Sequence, residues 1–131
     1  MTTGGTVRGE LDWLLANMIE TVDHARQAVI LSADGLVLAA SPGMVQDDAE
    51  RLAALASGMQ SLARGASQQL SGGEIRQTII EMDQALLFIA AAGSGTCLAV
   101  VVDVEADAGL IAYEMTVLVS RVGNHMAANP R

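Results

Sequence analysis

Apolar positions along the chain fall into short periodic stretches punctuated by Gly, Pro and Asp. Over residues 10–22 they recur at Leu11, Leu14, Leu15, Met18, Ile19 and Val22, one face of a helix, with Glu10 and Asp12 near its positive end. Residues 26–32 (RQAVILS) and 36–41 (LVLAAS) flank Ala33-Asp34-Gly35. Asp-Gly between two apolar runs predicts a β-hairpin. Pro42-Gly43 marks a loop, and Asp47 with Glu50 three residues on reads as a capping box. The long helix it opens runs to about Leu70 and stops at Ser71-Gly72-Gly73. Residues 74–82 (EIRQTIIEM) mix charges with β-branched side chains, as an edge strand does.

Asp83-Gln84 then turns into residues 85–92, and Gly93-Ser94-Gly95 turns into 96–102. Both stretches are apolar throughout, which requires cover on both faces of a sheet. A last helix over 109–125 carries two apolar stripes, Ile111/Met115/Leu118/Val122 and Leu110/Tyr113/Val117. Its β-branched residues weaken intrinsic propensity, so tertiary contacts must hold it. The order is α-β-β-α-β-β-β-α; short hairpin connections imply an antiparallel sheet, and its apolar strands need helices on both sides. Residues 1–9 and 126–131 read as tails around one domain, 10–125.

Composition narrows the function. The 131 residues are 51% hydrophobic and 17% charged, a globular balance. Fifteen acids against seven bases give a net charge of −8, which repels phosphate backbones and anionic lipid; neither nucleic acid nor a membrane is expected as a partner. All seven bases are Arg. Without Lys there is no Walker A motif, Schiff-base enzyme or protein kinase. Two His and a single Cys do not assemble a typical zinc site or an internal disulfide. A reducing cytoplasmic setting fits, and the first ten residues lack the apolar core of a signal peptide. Residues 85–102 hold no charge over a length near the minimum for a membrane span, but the central Gly-Ser-Gly divides them into a buried hairpin.

The ordered set AVILSADGLVLAAS (28–41), DDAERLAALA (47–56), GEIRQTIIEMDQALLFI (73–89) and VVVDVEADAGLIAYEM (101–115) resembles the roadblock/dynein light-chain family. It is most similar to the bacterial GTPase-regulating branch and to the roadblock component of the actinobacterial GTPase operons called conservons. The resemblance covers about residues 10–125. It implies a five-stranded antiparallel sheet with the long second helix on one face and the terminal helices on the other. It further implies a homodimer joined through that helix and the third strand, and a Ras-like small GTPase as partner, with other products of the same operon.

The long helix offers a surface for such contacts. Leu52, Leu55, Met59, Leu62, Ala66 and Leu70 form its expected core stripe, with Glu50, Gln60, Arg64, Ser67 and Gln68 on the solvated side. Between them lies a strip of small residues, Ala54, Gly58, Ser61 and Gly65. Each interior glycine costs a helix roughly 1 kcal/mol relative to Ala. Close approach of another backbone would offset that cost, so the strip is expected to be a contact surface. The opposing reading puts the glycines beneath the domain's own strands or at a kink. On the edge strand, Glu74, Arg76, Thr78 and Ile80 are the expected pairing residues.

Reactive constellations are few. Asp103, Glu105, Asp107 and Glu114 imitate a calcium loop, but Ala108 stands where its sharp turn needs Gly, so Asp107 is expected to cap the last helix instead. Asp23-His24 reads as a surface pair, Ser94 and Thr96 lack the context of a nucleophile elbow, and Cys97 reads as a small core residue. Arg51, Arg64, Arg76 and Arg121 are formal candidates for an arginine finger, which the bacterial branch does without. The expectation is a non-catalytic regulator that needs no cofactor or metal. The competing reading is a sensory domain that binds a small molecule, for which three aromatics supply few specificity groups.

Overall fold

The computed structural model describes the backbone of residues 3–93 and 95–128, with the side chains of 9–93 and 95–124. Three helices and five strands follow in the order α1 (Thr3–Thr21), β1 (Ala25–Ser32), β2 (Val37–Ala40), α2 (Gln46–Leu70), β3 (Thr78–Glu81), β4 (Ala85–Ala91), β5 (Thr96–Asp103) and α3 (Ala108–Ala128). The strands make one antiparallel sheet in the order β2-β1-β5-β4-β3. The architecture expected from the sequence is therefore present. Helical backbone extends further at both ends than the apolar periodicity indicated, to Thr3 and to Ala128. Ser94 and residues 129–131 lie outside the described residues.

Strand pleat divides the core cleanly. Ala28, Ile30, Phe88, Ala90, Leu98, Val100 and Val102 point towards α1 and α3. Val29, Leu31, Leu87, Ile89, Cys97 and Ala99 point towards α2. β4, β5 and residues 28–31 of β1 thus bury both faces, which is why they read as apolar runs. On the helical side, Leu11, Leu14, Leu15, Met18 and Val22 of α1 meet Ile111, Met115, Leu118 and Val122 of α3. The second stripe of α3, Leu110, Tyr113 and Val117, stays exposed.

Local chemistry fixes the turns. At the β1–β2 hairpin, Gly35 adopts φ +88° and Ser32 N donates to Leu36 O at 2.9 Å. The Asp107 carboxylate accepts from Leu110 N at 3.1 Å, the cap expected for α3. The start of α2 differs. Its N-cap is Val45, with no side-chain cap bond, so the capping box is not formed. Asp47 and Asp48 sit inside the first turn, where they favour the positive end of the helix, and Gln46 bonds Glu50 at 2.9 Å. The end of α2 is an αL residue, Ser71, whose successor Gly72 donates back to Ser67 O.

Candidate functional site

The long helix is turned on the sheet differently from the reading of its leucine stripe. Its buried residues are Ala49, Leu52, Ala53, Ala56 and Gln60. Compared with the leucine stripe read from the sequence, this face is rotated by about a quarter turn, at about 100° per residue. Only Leu52 of that stripe is buried and Met59 is half-buried; Leu55, Leu62, Ala66 and Leu70 are exposed. The physical reason is size. Three alanines let α2 lie close over Val29, Leu31, Ile89 and Ala99, and leucines on that face would hold it away. Gln60, expected in solvent, is 4% exposed.

The same rotation turns the small-residue strip outward. Ala54, Gly58, Ser61 and Gly65 are all exposed. A Cβ added at Gly58 or Gly65 would meet nothing within 4 Å. The strip is thus not covered by the domain's own strands, and it is flanked by Leu55 and Leu62, which are 62% and 69% exposed. One helix face therefore combines bare backbone with apolar side chains that this chain leaves unburied.

The neighbouring edge is shorter than the sequence indicated. β3 pairs only Thr78↔Ile89, Ile79↔Phe88, Ile80↔Leu87 and Glu81↔Leu86. Glu74 and Arg76 lie before the strand, exposed, on the connection from α2. That connection is tied down away from the sheet: Ser67 Oγ donates to Gly73 O, and Gln77 Nε2 donates to Ala112 O at 3.2 Å. Thr78 and Ile80 face α2, where Thr78 Oγ1 donates to Gln60 Oε1 at 2.9 Å and Ile80 packs on the α2-side core. Of the eight expected contact residues, six stay on or beside the outer α2 face and the short edge strand. Glu74 and Arg76 are placed with the connection.

Burial pushes the Cys97 thiol above its usual range, while the Gln60 amide and the Arg64 charge beside it pull the other way. Such a thiol is a poor nucleophile at neutral pH. Across the sheet, His24, Asp103 and Glu105 bring ligand atoms within 4.8 Å of one another, a grouping the sequence does not announce. It arises from register, since Asp103 N donates to His24 O at 2.9 Å. Arg26 Nε donates to the Asp103 carboxylate and its Nη2 to Gln84 O, so the cluster is an ion-pair clasp between β1, β5 and the β3–β4 turn. Asp103 and Asp107 stand on a strand end and a helix cap, which removes the calcium-loop geometry. Of the candidate finger residues, Arg51 reaches Asp48 at 4.0 Å. No described helix is long and apolar enough to cross a membrane, and residues 85–91 and 96–102 lie in β4 and β5.

Comparison with known proteins places this geometry. The family model described as the Roadblock/LC7 domain matches residues 11–102. A solved Roadblock/LC7 domain from Streptomyces avermitilis is 46% identical, with a TM-score of 0.84 over 88% of this chain and 97% of that one. An uncharacterized protein of Methanocaldococcus jannaschii is 32% identical over 110 residues, 83% of this chain and 90% of that protein. Myxococcus xanthus MglB shares the fold at 15% identity, with a TM-score of 0.84 over 93% of this chain and 91% of that one.

Proposed function

This chain belongs to the Roadblock/LC7 domain family, and from that premise we propose that it is a non-catalytic, homodimeric regulator or scaffold. It binds a Ras-like small GTPase and modulates GTP hydrolysis or the GTPase's location in a bacterial, cytoplasmic signalling complex. The observation that carries the reading is the outer face of α2. Two helix-interior glycines cost about 1 kcal/mol each against Ala, and among the described residues no neighbour stands within 4 Å of a Cβ at either one to require them. A second backbone brought close to Gly58 and Gly65 gives them a use, and burying Leu55 and Leu62 against it supplies apolar area.

The edge of β3 supplies the other half. Edge strands present unpaired backbone groups, and pairing β3 with the same strand of a second copy extends the sheet across a two-fold axis. Such an interface is isologous: α2 meets α2 and β3 meets β3. The remaining exposed helix surface is then a composite of both protomers, a landing place for a GTPase whose switch segments it reshapes. No residue of this chain is assigned to the hydrolytic chemistry.

The test uses the purified chain and a purified bacterial Ras-like small GTPase. Light scattering on the eluting protein is expected to give the mass of a dimer. Immobilised chain is expected to capture the GTPase in a nucleotide-dependent manner and to change its single-turnover hydrolysis or its exchange rate. A monomer that captures neither the GTP-loaded nor the GDP-loaded form overturns the proposal.

A further inference from the structure

Because β3 covers β4 only as far as Ile89, Ala90 and Ala91 pair with β5 on one side and are left without a β3 partner on the other. The connection that should have continued the strand is held away from it. The result is a cleft of about 1270 Å³, bounded by the C-terminal half of α2, residues 72–77, the end of β4 and α3. This is room for a small molecule.

The charges lining the cleft run against the character of the chain. In a protein of net charge −8, Arg64 enters it from α2 and Arg76 from the connection. Neither guanidinium has a carboxylate within salt-bridge distance among the described residues, although Arg26 and Arg51 both do. Glu74, also on the connection, is the one acid among the described residues that line the cleft, and leaves their sum positive. Gln60, Gln77 and Thr116 add polar groups whose positions are fixed by hydrogen bonds to Thr78 and to Ala112 O. Among the described residues no aromatic side chain lines the space, so none of them stacks on a nucleobase there. The acids elsewhere on the surface act through salt water and are largely screened beyond about 8 Å at physiological ionic strength.

We infer that this cleft binds a small non-aromatic polyanion, a polycarboxylate or an inorganic or aliphatic phosphate, gripped by Arg64 and Arg76. Guanidinium is suited to this task because its planar fork pairs with two oxygens at once. The inference stands apart from the GTPase reading, since it needs neither a dimer nor a nucleotide-loaded partner.

Calorimetric titration of the full chain with citrate and with pyrophosphate tests it. The expected result is saturable binding of at least one, and which one binds identifies the ligand as carboxylate or phosphate. In the Arg64→Gln/Arg76→Gln variant the affinity is expected to fall about tenfold or more. Glu74→Gln removes the opposing charge and is expected to tighten binding, a readout that survives if the double variant fails to fold. General salting-out by these anions is not saturable and is the same in every variant. No saturable binding of either anion, or binding indifferent to all three substitutions, overturns the inference. Light scattering on the same samples reads the oligomeric state separately, so failure of this inference and failure of the proposed dimer are distinguished.

Discussion

The Thr78 hydroxyl donates a 2.9 Å hydrogen bond to the side-chain oxygen of Gln60, tying the short edge strand to the buried face of α2. Gln60 is 4% exposed, so losing this partner leaves its side-chain oxygen with little water to replace it. Thr78→Val is therefore expected to cost about 1–3 kcal/mol, the penalty for an orphaned buried polar group. Gln60→Met on top of Thr78→Val removes the orphan and is expected to recover much of the loss. Urea denaturation of the two single variants and the double variant measures the coupling, and additive losses would contradict it.

How far the sequence reveals this molecule depends on which signal carries burial. α1 was legible because its burial is one-sided and its buried residues are large, as Leu11, Leu15 and Met18 show. β4 and β5 were legible because cover on both faces leaves their interior positions apolar, with polar residues only at the ends of β5. α2 misleads because Ala49, Ala53 and Ala56 do the burying while Leu55 and Leu62 stay outside. A pattern weighted by hydrophobicity points to the leucines. The position of Glu74 and Arg76 was not legible either, because long-range bonds hold the connection, from Ser67 to Gly73 and from Gln77 to Ala112. The outward strip Ala54/Gly58/Ser61/Gly65 was legible for the opposite reason: glycine inside a strong helix is costly, and the cost itself is the signal.

Gly35 shows what a single turn is worth. It sits at φ +88°, and a Cβ there would stand 3.3 Å from Cβ of Ser57 on α2. Ser57 cannot easily yield, because its hydroxyl donates to Ala33 O at 3.1 Å across the same gap. Backbone strain and crowding act together, so Gly35→Ala is expected to lower stability by about 1–3 kcal/mol. Gly43→Ala, at φ +87° but with nothing within 4 Å, isolates the backbone contribution and is expected to cost less. Thermal or urea unfolding of the pair checks the order.

Cys97 makes stability depend on pH. Burial raises its folded-state pKa above the ordinary 9.0, so the folded chain holds its thiol proton after the unfolded chain has released it. The contribution is fully present below about pH 9 and is lost as pH rises through the folded value. Cys97→Ala is expected to flatten that alkaline decline, seen as a smaller difference in unfolding free energy between pH 8 and about pH 10. Native Cys97 is also expected to react with iodoacetamide far more slowly at pH 7.5 than the urea-unfolded chain, because it is both protonated and buried. Equal rates would show that the strand opens readily.

The outer face of α2 gives the sharpest separation between folding and assembly. Gly58 and Gly65 are open to solvent, and a Cβ added at either meets nothing within 4 Å, so an Arg there can extend into solvent without displacing the sheet-facing side of the helix. The substitution also removes a glycine from a helix interior, where Gly is about 1 kcal/mol worse than ordinary residues. Each monomer is therefore expected to be as stable as the parent or up to about 1 kcal/mol more so in urea unfolding. Self-association is expected to fail in the same samples, because an Arg side chain now stands where the partner helix must approach. Gly58→Ala and Gly65→Ala, which add only a methyl, are expected to keep the stability gain and weaken association less. The combination is what distinguishes an interface from an accident of sequence: a glycine kept only by chance would let the helix strengthen with no loss, and a structural one would make it unfold. Sedimentation velocity over a concentration series, run beside the denaturation curves, reads both quantities from one preparation.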